Sequence, residues 1–143
     1  MTIATILRGK GEDVVSVAPA ATGKEVAETL TRHRIGAVLV RGAGGEILGI
    51  VSERDLVRAM SAAGRAPDAL AAEEMMTRNL ATVTPATTIT DALGLMTDRR
   101  VRHLPVMEGG ALRGMVSIGD LVKARIEAAE GEAQALREYV TAG

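Results

Sequence analysis

The sequence predicts a mixed α/β (α+β) fold of two pseudo-symmetric motifs, each a small three-stranded sheet with two helices, followed by an extended C-terminal helix. Three observations predict it. The chain repeats itself, each copy passes through helical and strand periodicity in the same order, and an apolar helical stripe runs on beyond the second copy.

The repeat is read directly. Ser16-Val17-Ala18-Pro19 aligns with Thr82-Val83-Thr84-Pro85 at an offset of 66 residues. Residues 49–57 read GIVSERDLV and residues 114–122 read GMVSIGDLV, at an offset of 65. One residue fewer in a turn accounts for the change. A unit of about 50 residues buries too little surface to be stable alone, so two copies are expected to share the work.

Each copy opens on an extended segment with a proline. A helical pattern follows, with Gly23, Val26, Ala27 and Leu30 in the first copy and Ile89, Ala92, Leu93 and Met96 in the second. These are the i, i+3, i+4, i+7 positions of one helix face. Thr22 with Glu25, and Thr88 with Asp91, supply a capping pattern at each helix start. Two short strands come next, 37–40 and 47–52, then 103–107 and 112–117, separated by the turn-forming runs Gly42-Ala43-Gly44-Gly45 and Glu108-Gly109-Gly110. A second helix opens near Asp55 and near Asp120. The expected organisation is a first motif over 1–61 with an N-terminal helix, a connector over 62–76, a second motif over 77–125 and a helical extension over 126–143.

Composition narrows the function classes. Of 143 residues 47% are hydrophobic but Tyr139 is the one aromatic, so the core is expected to consist of Val, Leu, Ile, Met and Ala. Base stacking on aromatic rings is therefore not on offer, which argues against single-stranded nucleic acid. Seventeen basic and 18 acidic residues leave a net charge of −1 with no basic block, so neither DNA nor an anionic membrane is an expected partner. With no cysteine, two histidines and no HExxH, no metal site is expected. The start, with Arg8 and Lys10 after a short apolar stretch, does not read as a signal peptide, and no run approaches 18 apolar residues. A cytoplasmic protein is the expectation.

Gly23-Lys24-Glu25 fails as a phosphate loop, because Ala18 stands where the first glycine belongs and Glu25 where Ser or Thr belongs. Ser117, His103 and Asp120 can be drawn as a triad, but Ser and Asp three apart on one turn offer neither nucleophile elbow nor oxyanion hole. Catalysis is not expected. Ser52-x-x-Asp55 and Ser117-x-x-Asp120 also read as helix caps that need no ligand. His33, near the end of a helix, reads as structural, and Lys10 reads as solvated.

Taken together, the doubled order of the extended Pro segment, the helix and the Gly-apolar-apolar-Ser-x-x-Asp-Leu turn resembles a tandem pair of CBS motifs, the Bateman module. The likeness covers roughly residues 8–126. The second copy is the closer match, with Arg102-His103-Leu104-Pro105-Val106; in the first, Gly36-Ala37 replaces Arg102-His103 and Leu39 replaces Pro105. The resemblance implies a regulatory module that binds AMP, ADP or ATP in clefts between the two motifs, with NAD(H) sensing as the alternative. A structural or interaction module without ligand is a further alternative. It also implies ribose binding by Asp55 and Asp120, with Ser52, Arg54, Ser117, Gly119 and open helix-start amides near ribose or phosphate. Arg102 and His103 would contact phosphate. Ser16, Val17, Ile35, Gly36 and Ala37 would line the adenine site of one copy, and Thr82, Val83 and Val101 that of the other. No catalytic, transporter or DNA-binding domain is visible, so action in trans on an unidentified regulated protein is expected.

The last helix carries Val122, Ile126, Ala129, Ala133, Leu136 and Val140 at spacings of 4-3-4-3-4, a heptad-like stripe. Lys123, Arg125, Glu127, Glu130, Glu132, Arg137 and Glu138 occupy the other faces. Gly131 weakens the helix by about 1 kcal/mol, and a bend is expected there. A homodimer is expected.

Overall fold

The computed structural model describes residues 1–142. The chain forms two compact units: Asp13–Leu80 makes one, and Met1–Glu12 joins the chain from Ala81 onward to make the other.

In the first unit, β1 (Ser16–Val17) lies parallel to β2 (Ala37–Arg41), which pairs antiparallel with β3 (Ile47–Ser52). Between β1 and β2 runs α2 (Gly23–His33), opened by a capping box in which the Thr22 hydroxyl accepts the Glu25 amide and the Glu25 carboxylate accepts the Thr22 amide. Its apolar face buries Val26 and Leu30, and α3 (Glu53–Ala63) adds Leu56. The connector is more structured than a linker. Residues 62 and 63 still belong to α3, Pro67–Ala69 form a 3-10 turn and Ala72–Met75 form α4. Leu70, Ala72 and Met75 complete the core with Val38, Val40 and Val51.

In the second unit, α5 (Ile89–Arg99) precedes the antiparallel pair β4 (His103–Glu108) and β5 (Ala111–Ser117), and α6 (Ile118–Ala142) follows. The third strand expected here shrinks to a single parallel bridge, Val83 to Val106. The Val83 amide still donates to the Pro105 carbonyl, and the Met107 amide to the Val83 carbonyl. Thr88 caps α5 by accepting the Asp91 amide. The boundary expected at 125/126 does not exist as a break, because α6 is continuous for 25 residues and runs through Gly131.

The N-terminal helix α1 (Ile3–Lys10) departs from the expected organisation: it buries Ile3 and Leu7 in the core of the second motif rather than the first. A mirror arrangement occurs in the first unit. There Thr77, just before the second repeat, exchanges backbone hydrogen bonds with Ile50 of β3 at 2.9 and 3.0 Å. Gly49 makes this approach feasible, since a Cβ on it would come within 2.7 Å of the Thr77 carbonyl oxygen. Its counterpart Gly114 faces the Leu7 side chain in the same way. The segment leading into each repeat thus packs on the other repeat, which sequence periodicity does not reveal.

Candidate functional site

The two Ser-x-x-Asp turns have the same construction. In the first unit β2 and β3 pair Ala37 with Ser52, and in the second β4 and β5 pair His103 with Ser117. Each serine ends its strand and begins the next helix. The Ser52 hydroxyl accepts the Asp55 amide at 3.2 Å, while Asp55 Oδ2 accepts the Ser52 amide at 2.9 Å and its hydroxyl at 3.0 Å. Likewise the Ser117 hydroxyl accepts the Asp120 amide at 3.1 Å, and Asp120 Oδ2 accepts the Ser117 amide at 2.8 Å. Both turns are therefore reciprocal helix caps, as the sequence allows.

The first-turn amides are less open than expected. The Glu53 amide donates to the Gly36 carbonyl at 3.0 Å, and the Ile118 amide to the Arg102 carbonyl at 2.9 Å. With the Asp55 and Asp120 amides held by serine, the described bonds leave the Arg54 and Gly119 amides as donors in that turn. These bonds have a second effect: they tie Gly36-Ala37 and Arg102-His103 to the turns. Ser52, Asp55, Gly36 and Ala37 accordingly gather at one corner of the first unit, with Arg54 exposed beside them. Ser117, Gly119, Asp120, Arg102 and His103 gather at the matching corner of the second. Arg102 and Gly119 are exposed and His103 is half-buried.

The remaining expected residues lie further along the strands and loops. Ser16 and Val17 are set against Leu39 and Val40 in β1, on the side of β2 away from β3. Half-buried Ile35 closes α2 through its amide on the Leu30 carbonyl, and half-buried Val101 closes α5 through its amide on the Met96 carbonyl. Thr82 is exposed and Val83 is buried in the core. His33 is exposed in the last turn of α2, where a helix-terminal residue was expected.

The carboxylates differ in their neighbours. Asp55, with 11% of its side chain exposed, accepts a bond at Oδ1 from the Thr77 hydroxyl at 3.4 Å and lies 3.9 Å from Arg58. Asp120, 26% exposed, is gripped by Lys10, whose Nζ stands 2.6 Å from Oδ2 and 2.9 Å from the Met115 carbonyl. Lys10 is therefore not simply solvated. Burial raises the Asp120 pKa most, but the bond from Lys10, the Ser117 amide and the lysine charge together outweigh it. The carboxyl ends below its ordinary value of 3.8. Gly11, next to Lys10, ends α1 at φ 92° and ψ 175°, a conformation reserved for glycine. Lys10 and Thr77 were missed because their carboxylate partners lie far away in sequence. The available signal was positional: each sits just ahead of a repeat.

A depressed carboxyl pKa means that the unfolded chain takes up a proton first. The stabilisation is complete above 3.8 and is lost as pH falls through the folded value. Lys10→Met is expected to lower stability at pH 7 by up to about 1 kcal/mol after solvent screening. The difference from wild type should shrink as pH falls below 3.8 and Asp120 takes up its proton, as read by urea titrations over a series of acid pH values.

Among the described residues no group of three or more His, Cys, Asp or Glu could hold a metal ion. None of their helices is long and apolar enough to cross a membrane.

Comparison with known proteins bears on both repeats. The family model described as CBS domain matches residues 11–62 and again 72–127. The mitochondrial CBS domain-containing protein CBSX3 of Arabidopsis thaliana is 34% identical over 99% of this chain and 73% of its own. CBS domain-containing protein YhcV of Bacillus subtilis is 32% identical over 76% of each. Among solved structures, the CBS-domain containing protein ATU1752 of Agrobacterium tumefaciens superposes with a TM-score of 0.84 at 44% identity, covering 87% of this chain and 92% of its own.

Proposed function

The chain belongs to the CBS domain family, and from that premise we propose that it is a sensor of adenine nucleotides of the AMP, ADP and ATP class, acting in trans on a regulated protein. Tandem CBS domains are in general regulatory and ligand-binding, and the relatives above are CBS domain proteins rather than named enzymes. The observation that carries the reading is the doubled cap. The same carboxylate stands at the same strand-to-helix corner of both units, partly exposed and held by short bonds. Asp55 and Asp120 accept the vicinal ribose hydroxyls. The Arg54 and Gly119 amides, at the positive end of a helix, face the phosphate, with Arg102 and His103 beside them in the second unit. Because Lys10 already occupies Asp120 Oδ2, the two sites differ in affinity.

The protein catalyses no reaction in this reading. Ser117 is committed to the cap and its hydroxyl accepts rather than attacks. It acts as a homodimer, since Val57 and Val122, equivalent in the two repeats, are both exposed apolar residues.

A thermal-shift screen with AMP, ATP and NADH tests the proposal. Stabilisation by AMP or ATP is expected, about 2.7 kcal/mol at a hundredfold excess over the dissociation constant. Response to NADH alone would make the dinucleotide the ligand. A flat response to all three would leave an interaction module with capped helices.

A further inference from the structure

We propose that α6, from Val122 to Val140, pairs with α6 of a second copy as a parallel, in-register two-stranded coiled coil. The inference rests on the homodimer reading and supplies its geometry. Its first support is that none of the described residues covers the end of α6. Leu121 and Ala124 are the buried residues of α6, and every residue from Ala129 to Ala142 is exposed. An isolated helix of this length is marginal in water, and Gly131 weakens it further. A helical stretch that leaves its own core at Ala124 and stays exposed to Ala142 calls for a partner.

The apolar pattern states the shape of that partner. Val122, Ile126, Leu136 and Val140 are 43%, 52%, 64% and 69% exposed. With Ala129 and Ala133 they fill alternating d and a positions of one heptad frame, starting with Val122 at d. In this frame Gly131 falls at f, the position farthest from the seam, where its missing side chain removes no contact.

Charge selects the orientation. The g positions hold Arg125, Glu132 and Tyr139, and the e positions hold Lys123, Glu130 and Arg137. In a parallel pair each g residue meets the e residue five positions later on the other helix. Arg125 then faces the partner's Glu130, and Glu132 faces the partner's Arg137; by symmetry each pair occurs twice. Arg125 spends one donor on the Thr90 hydroxyl at 3.1 Å, which leaves others for a carboxylate. The antiparallel alignment that matches all six apolar layers sets Glu130 against the partner's Glu130, Glu132 against the partner's Glu132 and Lys123 against the partner's Arg137. Like charges meet in these pairs, and Arg125 faces the partner's Tyr139, so no opposite charges meet. A parallel pair also brings the two Asp120 turns to the same end of the coil.

The test uses the full chain and two double variants. Arg125→Glu with Arg137→Glu makes every g–e pair acidic, and Glu130→Arg with Glu132→Arg makes every one basic. Sedimentation velocity should show a wild-type dimer and, for each variant alone, a dissociation constant raised at least about tenfold. An equimolar mixture of the two should recover dimer, because every cross-pair is then opposite in sign. Far-UV circular dichroism of each variant guards against misfolding. In a chain without cysteine, Leu136→Cys should oxidise to a covalent dimer, since parallel pairing sets the two positions face to face within disulfide reach. A monomeric wild type would remove the homodimer reading with this one. A wild-type dimer with indifferent double variants, or with an uncrosslinked Leu136→Cys, would overturn the coiled coil alone. Nucleotide stabilisation is read separately and is unaffected by either failure.

Discussion

Leu121→Ala is expected to lower the free energy of unfolding by about 2–5 kcal/mol. Leu121 is fully buried, and it packs in the cluster that joins α1, α5, β4, β5 and α6. The core holds no aromatic ring that could tilt into the void, so branched aliphatic neighbours must carry the cavity with little relaxation. Lys123→Ala, two residues on and exposed, should change stability by less than about 0.5 kcal/mol. Urea unfolding followed by circular dichroism separates the two. The loss has a functional side as well, because Leu121 adjoins Asp120 and anchors the first turn of α6. A variant that still folds should bind ligand more weakly although no ligand-facing group was altered.

The second large effect concerns the carboxylates. Under the proposed function, Asp55→Ala and Asp120→Ala should each weaken nucleotide binding at their own turn by about a hundredfold or more, since a charge-assisted bond is worth about 1.5–3 kcal/mol and each carboxylate would accept two from ribose. The structural cost is smaller, about 1 kcal/mol for the lost cap. The variants differ in what they leave behind. Asp120→Ala leaves Lys10 with only the Met115 carbonyl, whereas Asp55→Ala leaves the Thr77 hydroxyl without its carboxylate acceptor. A helix cap alone predicts that both variants lose a little stability and nothing else.

Much of this was legible in the sequence because the signals are local. Thr22 with Glu25, Ser52 with Asp55 and Ser117 with Asp120 each close within one helical turn, so spacing is enough to find them. The strand edges at Ala37, Ser52, His103 and Ser117 fall where apolar runs meet turn residues. The departures that bear on the site involve distance along the chain. α1 joins the second motif because Ile3 and Leu7 pack in a core made mostly by residues beyond 80, and a short amphipathic helix carries no mark of which core it serves. The segment at Val83 reads as a strand but keeps only one bridge. Lys10 reads as a surface lysine because Asp120 is 110 residues away. The Glu53 and Ile118 amides read as open because their acceptors, the Gly36 and Arg102 carbonyls, come from a strand start that only the folded sheet brings near.

The same distinction explains why the two turns are alike in build and unlike in charge. The caps are inherited from the repeat, whereas Lys10 and Thr77 come from the segments that lead into it. Asp120 is held ionised by an ammonium group; Asp55 has a hydroxyl and a more distant guanidinium. A ligand at the Asp120 turn would have to share the carboxylate with Lys10 or displace it, which would couple binding there to the end of α1.

Calorimetric titration of the full chain with ATP and with 2′,3′-dideoxy-ATP bears most directly on whether these carboxylates hold ribose. Ribose held by Asp55 and Asp120 predicts measurable binding of ATP, loss of at least about a hundredfold on removal of both hydroxyls, and no binding to the Asp55→Ala, Asp120→Ala double variant. Equal affinity for the two nucleotides, or undiminished binding by the double variant, would contradict it.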